Sequence, residues 1–425
     1  MNKKEATKIA QETFDGKFNI KNYTSFLSNL FKSFSPKDRL IQGQYIKEAY
    51  RKYVSQYRIL GSFEDSEENK IDFLQVQLLK NTSLERARTA QRNFVAEYLK
   101  TRQKDAALVA FLSPETNEWR FSLVKLEYSI EVKEGKLKTT EETNPAKRWS
   151  FLIGDHEGSH TVTTRFLDLL QSDIAPNLQE IEEAFNIEKV TKEFFDKYCE
   201  LFLRMKESLD SLLLSDPDIK ADFDSKEIST IDFAKKTMGQ MAFLYFLQKK
   251  GWFGVAPNAD WGTGTKTFLR ELFNRREKYG VNFFDNILEP LFYEALAQDR
   301  GKEAIYPRLN NCRMPFLNGG LFEPMNGYSW ETTHILLPDE LFSNNNKTKE
   351  GDIGDGILDI FDRYNFTVNE NEPLEKEVAV DPEMLGKVFE NLLEIKDRKS
   401  KGAFYTPREI VHYMCQECLI NFLET

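Results

Sequence analysis

The chain has 425 residues, of which 40% are hydrophobic and 30% charged, and its formal net charge is −10. This length and composition indicate a globular protein with two or three domains. The acidic balance excludes a protein that binds polyanions over its whole surface, so a nucleic-acid contact would need a local basic face.

Targeting and redox features of the sequence are those of a cytoplasmic protein. The four cysteines are irregularly spaced and give no disulfide framework. Residues 1–18 carry charge but lack the apolar core of a secretory signal. No apolar run reaches the roughly 18 residues that a membrane-spanning helix needs. We therefore expect a cytoplasmic location and no membrane partner.

The first third of the chain is predicted to mix helices and strands. Apolar spacing over residues 37–56 predicts a helix. Residues 57–63 and 71–79 predict two strands that flank a charged turn. Residues 83–100 predict a further helix, for which Ser83 is a suitable N-cap.

Two more strands are predicted after this helix. The continuous apolar run at residues 106–113 is typical of a buried strand, and the alternation over residues 119–132 predicts a partner for it. Together these elements predict an α/β domain over residues 1–175. Beyond a polar segment the apolar period becomes helical, which predicts a mainly α-helical domain over residues 186–395. Residues 396–425 are predicted to begin a third domain.

The stretch KGAFYTPREIVHYM, residues 401–414, is the most informative part of the sequence. Phe404 and Tyr405 offer ring faces, and Thr406 and Pro407 are suited to start a helix. A helix N-terminus beside aromatic rings can hold a carboxylate and a flat or sulfonium-bearing ligand. The same residues are also typical of an ordinary helix cap.

GAFYTPREIVHYM resembles the motif that opens the catalytic domain of γ-class N6-adenine DNA methyltransferases. The segments YFLQKKGWFGV, FLNGGLFEP and DPEMLGKVFENLLE are similar to the helical connector of single-chain type IIG restriction–modification enzymes. The resemblance implies an N-terminal part of such an enzyme, with only the first helix of a Rossmann-like methyltransferase domain present. It implies double-stranded DNA as partner and an S-adenosylmethionine site lined by Phe404, Tyr405, Thr406 and Pro407.

The catalytic motif of that family is absent from the sequence. The family holds its flipped adenine with an Asn-Pro-Pro-aromatic motif, and no Asn-Pro-Pro or Asp-Pro-Pro occurs here. We therefore assign no catalytic residue and expect that this chain alone does not methylate DNA. We also expect that the face of the last helix with Met414 and Leu419 is not buried.

The resemblance further implies that the first domain is restriction-endonuclease-like, of the PD-(D/E)XK type. That fold clusters carboxylates from neighbouring strands around a divalent metal and adds a lysine. Asp72 lies on a strand of the right kind, but Gln75 and Gln77 stand where a carboxylate and a lysine are needed. Glu131 lies in a Glu-x-Lys triplet at the end of a strand. Asp72 and Glu131 are the metal candidates, and Mg²⁺ is required only if the domain is a nuclease.

Two basic segments offer local phosphate contacts. Residues 83–100 contain Arg86, Arg88 and Arg92, with Lys100, Arg102 and Lys104 at or beyond their end, and Lys147 and Arg148 precede a tryptophan. Such runs are usually solvated faces, yet they are the best basic patches in the sequence for DNA. Two other functions stay open: a metal-dependent DNA endonuclease active on its own, and a non-catalytic DNA-binding subunit that joins a separately encoded methyltransferase or specificity half.

Overall fold

The computed structural model describes the chain except for residues 33, 81, 83, 85–86, 127–129, 134–135, 140–145, 318, 350, 368–373, 381–407 and 425. Side chains of residues 130–133, 136–139, 408–409 and 424 are likewise not described. The chain divides into two compact units. Unit one comprises Met1–Val190, Arg363–Asn365 and Asn369–Ala379, and unit two comprises Thr191–Asp362, Phe366–Val368 and Val380–Thr425.

Unit one is built on a mixed seven-stranded sheet, which confirms the predicted α/β character. The strand order is β1-β2-β3-β4-β5-β8-β9, and only the pairs β3–β4 and β8–β9 are parallel. The strands β6 and β7 form a separate two-stranded hairpin. The nine strands are β1 (Ser35–Gln42), β2 (Val54–Glu64), β3 (Lys70–Leu78), β4 (Ala106–Leu112), β5 (Trp119–Lys125), β6 (Ile130–Lys133), β7 (Lys136–Thr139), β8 (Lys147–Ile153) and β9 (Glu375–Glu377).

Helices cover both faces of this sheet. On one face, Phe94 and Leu99 of α3 pack with Leu74, Val76 and other apolar side chains of the strands. On the other face, Phe31 of α2 contacts Phe73, which points away from Leu74 because side chains alternate along a strand. The helices of unit one are α1 (Lys3–Phe14), α2 (Ile20–Phe31), α3 (Arg88–Arg102), α4 (His160–Gln171) and α5 (Leu178–Ala184).

Asp65 joins the turn between β2 and β3 to the start of α5. Its carboxylate accepts hydrogen bonds from the backbone N–H groups of Glu67 at 2.9 Å, Asn69 at 2.8 Å and Leu178 at 2.8 Å. Burial acts to raise the pKa of Asp65, but the hydrogen bond from the Asn69 side-chain amide, at 3.0 Å, and these backbone hydrogen bonds outweigh it and hold the pKa below its usual value. The turn and the helix are therefore held by one ionised group.

The predicted helix over residues 37–56 is wrong. This stretch contains β1, two short 3₁₀ turns at Gly43–Tyr45 and Glu48–Tyr50, and the start of β2. Gly43 has φ +60°, which breaks the helical path, and pairing of β1 with β2 satisfies the backbone instead. The apolar side chains that suggested one helical face do not share one environment, because Ile41 and Ile46 are buried whereas Leu40 and Tyr45 are exposed.

The other predicted strands of unit one are confirmed as β2, β3 and β4. The predicted strand over residues 119–132 is shorter than expected, since β5 ends at Lys125 and β6 belongs to a separate hairpin. The helix predicted over residues 83–100 begins at Arg88, and Ser83 lies outside the described residues.

Unit two consists largely of helices in its described part. Its longest helices are α6 (Ile187–Ser215) and α8 (Thr230–Lys249), and α8 ends before Gly251, whose φ is +67°. A Cβ at Gly251 would lie 2.4 Å from the carbonyl oxygen of Gly262, so this position requires glycine. The others are α7 (Pro217–Ser225), α9 (Phe268–Tyr279), α10 (Asp339–Phe342), α11 (Ile357–Arg363) and α12 (Arg408–Glu424).

Two π-helical segments follow α9 at Phe284–Leu288 and Leu291–Leu296, on either side of Pro290. Proline lacks the N–H that a regular α-helix needs at this point, which accounts for the change of hydrogen-bond pattern. Among the described residues, no helix is both long and apolar enough to cross a membrane.

Candidate functional site

A polar depression lies at the β1 edge of the sheet in unit one, on the face that α3 covers. Its volume is about 480 Å³. We call it the cationic depression because four of its lining side chains are positively charged and one is negatively charged. The described lining residues are Lys37, Arg39, Ile59, Asp72, Tyr98, Arg102 and Lys104.

Asp72 forms the floor of the cationic depression. Its side chain is only 4% exposed, and its Oδ1 lies 3.0 Å from the Nζ of Lys104. The hydroxyl of Tyr98 donates to Oδ2 of Asp72 at 2.6 Å. Burial, together with this hydrogen bond, raises the pKa of Tyr98 well above the usual range for a phenol, so its proton stays in place. Asp72 therefore accepts a hydrogen bond at Oδ2 and forms an ion pair with Lys104 at Oδ1.

The remaining cations of the depression face solvent. Lys37 and Arg39 are exposed on β1, and Arg102 is exposed at the end of α3. The guanidinium of Arg102 lies 4.9 Å from the ring centre of Tyr98. Since Asp72 neutralises one of four positive charges, the described lining keeps an excess of three. This is a local basic face on a chain whose net charge is −10.

A second charged cluster, the arginine–glutamate cluster, is buried at the opposite edge of the sheet. Arg148 donates to Gln91 at 2.9 Å and to Glu375 of β9 at 3.0 Å. The guanidinium of Arg92 lies 3.1 Å from Glu375, and that of Arg88 lies 4.0 Å from it. Burial lowers the pKa of Arg148 to about 10, although Glu375 acts in the opposite direction. Glu375 therefore balances charges from three arginines.

The same edge carries a second ion pair. Arg120 of β5 donates to the carboxylate of Glu377 at 3.0 Å, and both side chains are almost fully buried. Buried arginines are costly unless they are paired and hydrogen-bonded. The short strand β9 thus supplies both carboxylates of this region.

The structure places the predicted DNA-contact residues in different environments. It brings Arg88, Arg92 and Arg148 together in the arginine–glutamate cluster, where Arg92 and Arg148 are buried and do not reach a phosphate in this conformation. Lys147 is half-buried on β8, and Arg86 lies outside the described residues. Glu375 could not be recognised as their partner from local sequence patterns, because it is 227 residues from Arg148.

The two metal candidates belong to different sheets. Asp72 lies on β3 of the seven-stranded sheet, whereas Glu131 lies on β6 of the hairpin and its side chain is not described. Gln75 and Gln77 of β3 point to the opposite face from Asp72. Within the described residues, no three histidine, cysteine, aspartate or glutamate side chains are placed to hold a metal ion.

The residues predicted to line a cofactor site, Phe404, Tyr405, Thr406 and Pro407, lie outside the described residues. The helix that follows them, α12, is described from Arg408 onward. Met414 and Leu419 are 56% and 61% exposed, which confirms that this face is not buried.

Unit two contains a buried carboxyl group at Glu289, which is 0% exposed. The hydroxyl of Tyr328 donates to its Oε1. Burial raises the pKa of Glu289 well above its ordinary value, against the hydrogen bond from Tyr328, and the negative charge of Asp285 adds to the increase. Glu289 is therefore held in its protonated form over a wider pH range than an exposed glutamate.

Sequence reasoning missed the cationic depression, because the helix predicted over residues 37–56 hid the alternation of Lys37 and Arg39 along an edge strand. Arg102 and Lys104 belong to the basic segment predicted to contact phosphate, but nothing in the sequence connects them with Lys37 and Arg39. Only the fold brings these two segments to one place.

No protein-family model matches the chain, and no solved structure matches it. A curated protein of Methanocaldococcus jannaschii is similar to it. The two are 30% identical over 253 residues, which is 55% of this chain and 19% of the relative. The relative is named, provisionally, as a type II restriction enzyme and methyltransferase. The chain thus spans about a fifth of the length of the relative that it matches.

Proposed function

We propose that this chain is the N-terminal portion of a restriction–modification protein that methylates adenine at N6 in a specific DNA sequence, with S-adenosylmethionine as methyl donor. The observation that carries the proposal is the similarity to the Methanocaldococcus jannaschii protein named as a restriction enzyme and methyltransferase. The resemblance of residues 402–414 to the opening motif of γ-class N6-adenine methyltransferases supports the choice of base and cofactor.

The exposure of α12 also supports this reading. All of its described side chains, residues 410–423, are exposed. A helix with large apolar side chains around its whole surface is typical of a segment covered by further protein. A methyltransferase domain would supply that cover. The large apolar side chains exposed on α12 are Ile410, Val411, Tyr413, Met414, Leu419, Ile420, Phe422 and Leu423.

In this proposal unit one contacts DNA without cleaving it. The order α2–β1–β2–β3–α3–β4, with β3 and β4 parallel, is compatible with a restriction-endonuclease-like core. Its chemistry is not that of a metal site, because Asp72 is paired with Lys104 and Tyr98 and has no second carboxylate beside it in the described lining. Unit two would then be the helical connector of the proposed enzyme.

The test is the coding DNA beyond codon 425, read in all three frames, together with a methyl-transfer assay. We expect an Asn-Pro-Pro-aromatic motif in one downstream frame. A protein extended through that motif should transfer tritiated methyl groups from S-adenosylmethionine to adenine in duplex DNA, and the 425-residue chain should not. Methyl transfer by the 425-residue chain would contradict the proposal. An unrelated downstream gene, together with no methyl transfer by any extended form, would contradict it as well.

A second candidate is a non-catalytic DNA-binding subunit that joins a separately encoded methyltransferase or specificity half. The exposed α12 favours it as well, since a partner chain could cover the same surface. Co-expression with a neighbouring methyltransferase gene and co-purification through α12 would favour this candidate. An in-frame catalytic motif would exclude it.

A metal-dependent endonuclease is the remaining alternative. It requires that purified chain and Mg²⁺ cut plasmid DNA and that Asp72→Ala removes the cutting. Cleavage that survives both Asp72→Ala and Glu131→Ala would come from elsewhere.

A further inference from the structure

We propose that the cationic depression binds the phosphodiester backbone of duplex DNA. This inference rests on the proposed function and assigns its DNA contact to Lys37, Arg39, Arg102 and Lys104. These residues replace the buried arginines of the sequence prediction as the basic face of unit one.

Asp72, at the floor of the depression, positions the Lys104 ammonium group to bind an anion. An ammonium group has three N–H donors and no acceptor. Oδ1 of Asp72 lies 3.0 Å from the Lys104 ammonium, and this ion pair holds the lysine in place. The Lys104 side chain keeps 20% exposure, so its remaining donors can meet a ligand from the open side. Asp72 is thus a positioning residue.

The rim of the depression is not neutralised by the protein. Among the described residues, the Arg39 side chain has no ion pair or hydrogen bond, and the Lys37 side chain donates only to the Ser62 hydroxyl, at 3.1 Å. Lys47, Arg58 and Lys125 of unit one are by contrast each paired with a carboxylate. The cationic depression therefore brings several positive charges without carboxylate partners into one place.

The end of α3 reduces the positive potential but does not cancel it. A helix C-terminus carries about half a negative elementary charge, and Arg102 and Lys104 lie at this end of α3. The excess of three positive charges in the lining is larger than this partial charge. The depression is therefore still a favourable site for an anion.

A phosphodiester chain fits this arrangement better than a single small anion. Lys37 and Arg39 line an edge strand, and Arg102 belongs to a helix on one face of the sheet, so the charges are spread over two elements. A guanidinium can bind two phosphate oxygens at once, whereas a lysine acts as a point charge. Successive phosphates could occupy the rim and the floor.

The experiment compares four forms of the 425-residue chain by fluorescence anisotropy with a labelled 30-base-pair duplex, over a range of salt concentrations: the wild type, a test variant, a matched control and a charge-preserving variant. The test variant is Lys37→Ala/Arg39→Ala/Arg102→Ala. The matched control is Lys3→Ala/Lys4→Ala/Lys21→Ala, which removes the same charge from exposed positions on α1 and α2, the helices of unit one that precede the sheet. Unchanged circular dichroism melting of both variants confirms folding.

The expected loss follows from counterion release. Each phosphate contact contributes about 0.9 to the slope of log K against log salt, which is about fivefold in affinity near 0.15 M salt. The test variant should therefore bind on the order of 100-fold more weakly and show a slope smaller by about 2.7. The matched control and the charge-preserving variant Lys37→Arg/Arg39→Lys should bind as the wild-type chain does.

Three outcomes overturn the inference. Salt-dependent binding by the wild-type chain and equal binding by the test variant would reject the site and leave the proposed function standing. Equal losses in the test variant and the matched control would show a general charge effect and reject the site as well. A wild-type chain that binds single-stranded RNA through these residues but not duplex DNA would reject the DNA assignment and count against the proposed function too.

Discussion

Glu375 is surrounded by the guanidinium groups of Arg88, Arg92 and Arg148, and its side chain is 2% exposed. A carboxylate in this position offsets the cost of holding three cations away from water. Removal of one partner from a buried ion pair leaves the other charge unpaired, which costs more than the pair contributes in net stability. The arginine–glutamate cluster should therefore be sensitive to a single neutral substitution.

We predict that Glu375→Gln destabilises unit one by about 3–5 kcal/mol, because three buried arginines lose their counter-charge. Urea denaturation followed by circular dichroism measures the change. The control is Glu12→Gln, which removes a pair with Lys8 that is 54% and 74% exposed and should cost less than about 0.5 kcal/mol. A Glu375→Gln midpoint equal to that of the control would contradict the buried cluster.

The raised pKa of Glu289 predicts that the stability of unit two depends on pH. Its pKa is higher in the folded chain than in the unfolded chain, so above the unfolded pKa the folded chain holds a proton that the unfolded chain has lost. The contribution of Glu289 to folding stability is fully present below its pKa in the unfolded chain. This contribution is lost as the pH rises toward its pKa in the folded chain.

Glu289→Gln should therefore stabilise unit two at neutral and alkaline pH and have little effect at pH 4. The amide keeps the shape of the protonated carboxyl and can still accept from Tyr328. Thermal melts between pH 4 and pH 9 measure the difference, which should widen as pH increases. A constant difference across this range would mean that Glu289 does not titrate differently on folding.

Among the elements, the turn between β2 and β3 and the helix α5 depend on one carboxylate. Asp65 accepts from Glu67, Asn69 and Leu178, and a hydrogen bond to a charged group contributes about 1.5–3 kcal/mol to net stability. Its pKa is lowered, so its contribution is present above the unfolded pKa and is lost as pH falls.

We expect Asp65→Asn to destabilise unit one by about 2 kcal/mol at pH 7, since the neutral amide accepts these N–H groups more weakly. The loss relative to wild type should shrink at pH 3.5, because Asp65 takes up a proton in the unfolded wild-type chain at this pH and its contribution to stability falls. Urea midpoints at the two pH values give the comparison, with Glu64→Gln at the exposed end of β2 as control. An equal loss at both pH values would argue for a packing effect instead.

The central strands β2, β3 and β4 could be predicted because each carries the apolar pattern of a buried strand within a short stretch of sequence. The apolar run of β4 and the flanking segments of β2 and β3 are buried on the sheet, and each pattern was sufficient. The edge strand β1 was mistaken for a helix because pairing with β2, and not local preference, decides its conformation. The strand β9 has three residues and no local signal, since only its distant partner β8 gives it structure.

The candidate site could be predicted only in part, because its contacts join residues that are distant in the sequence. The sequence indicated Asp72 as a polar residue on a buried strand, which is where the structure places it. It could not indicate that Asp72 would pair with Lys104 and accept from Tyr98, because these contacts cross from β3 to α3 and the residues after it. Nor could it distinguish exposed arginines from those that Glu375 would bury.

For the molecule as a whole, α12 should dominate behaviour in solution. Exposed apolar side chains that form a continuous surface promote association, whereas single exposed ones do not. We predict that Leu419→Glu/Phe422→Glu lowers the binding of a hydrophobic dye and shifts the sedimentation velocity profile toward the monomer.

The control for α12 is Leu214→Glu, at an isolated leucine that is 86% exposed near the end of α6. This substitution adds a negative charge without touching α12, and it should leave dye binding and sedimentation unchanged. Equal effects of the two variants would mean that net charge, and not the surface of α12, controls association.

The position of β9 in the sequence has a consequence for synthesis on the ribosome. Arg120 and Arg148 are translated more than 220 residues before the carboxylates that pair with them, as the separations of 257 and 227 residues show. At about 5–20 residues per second, the growing chain waits on the order of 10–50 seconds before β9 exists. During that interval the sheet has an open edge and unbalanced arginines. We therefore expect nascent chains that end before residue 374 to be held by chaperones, and unit one to finish folding only after most of unit two has been made.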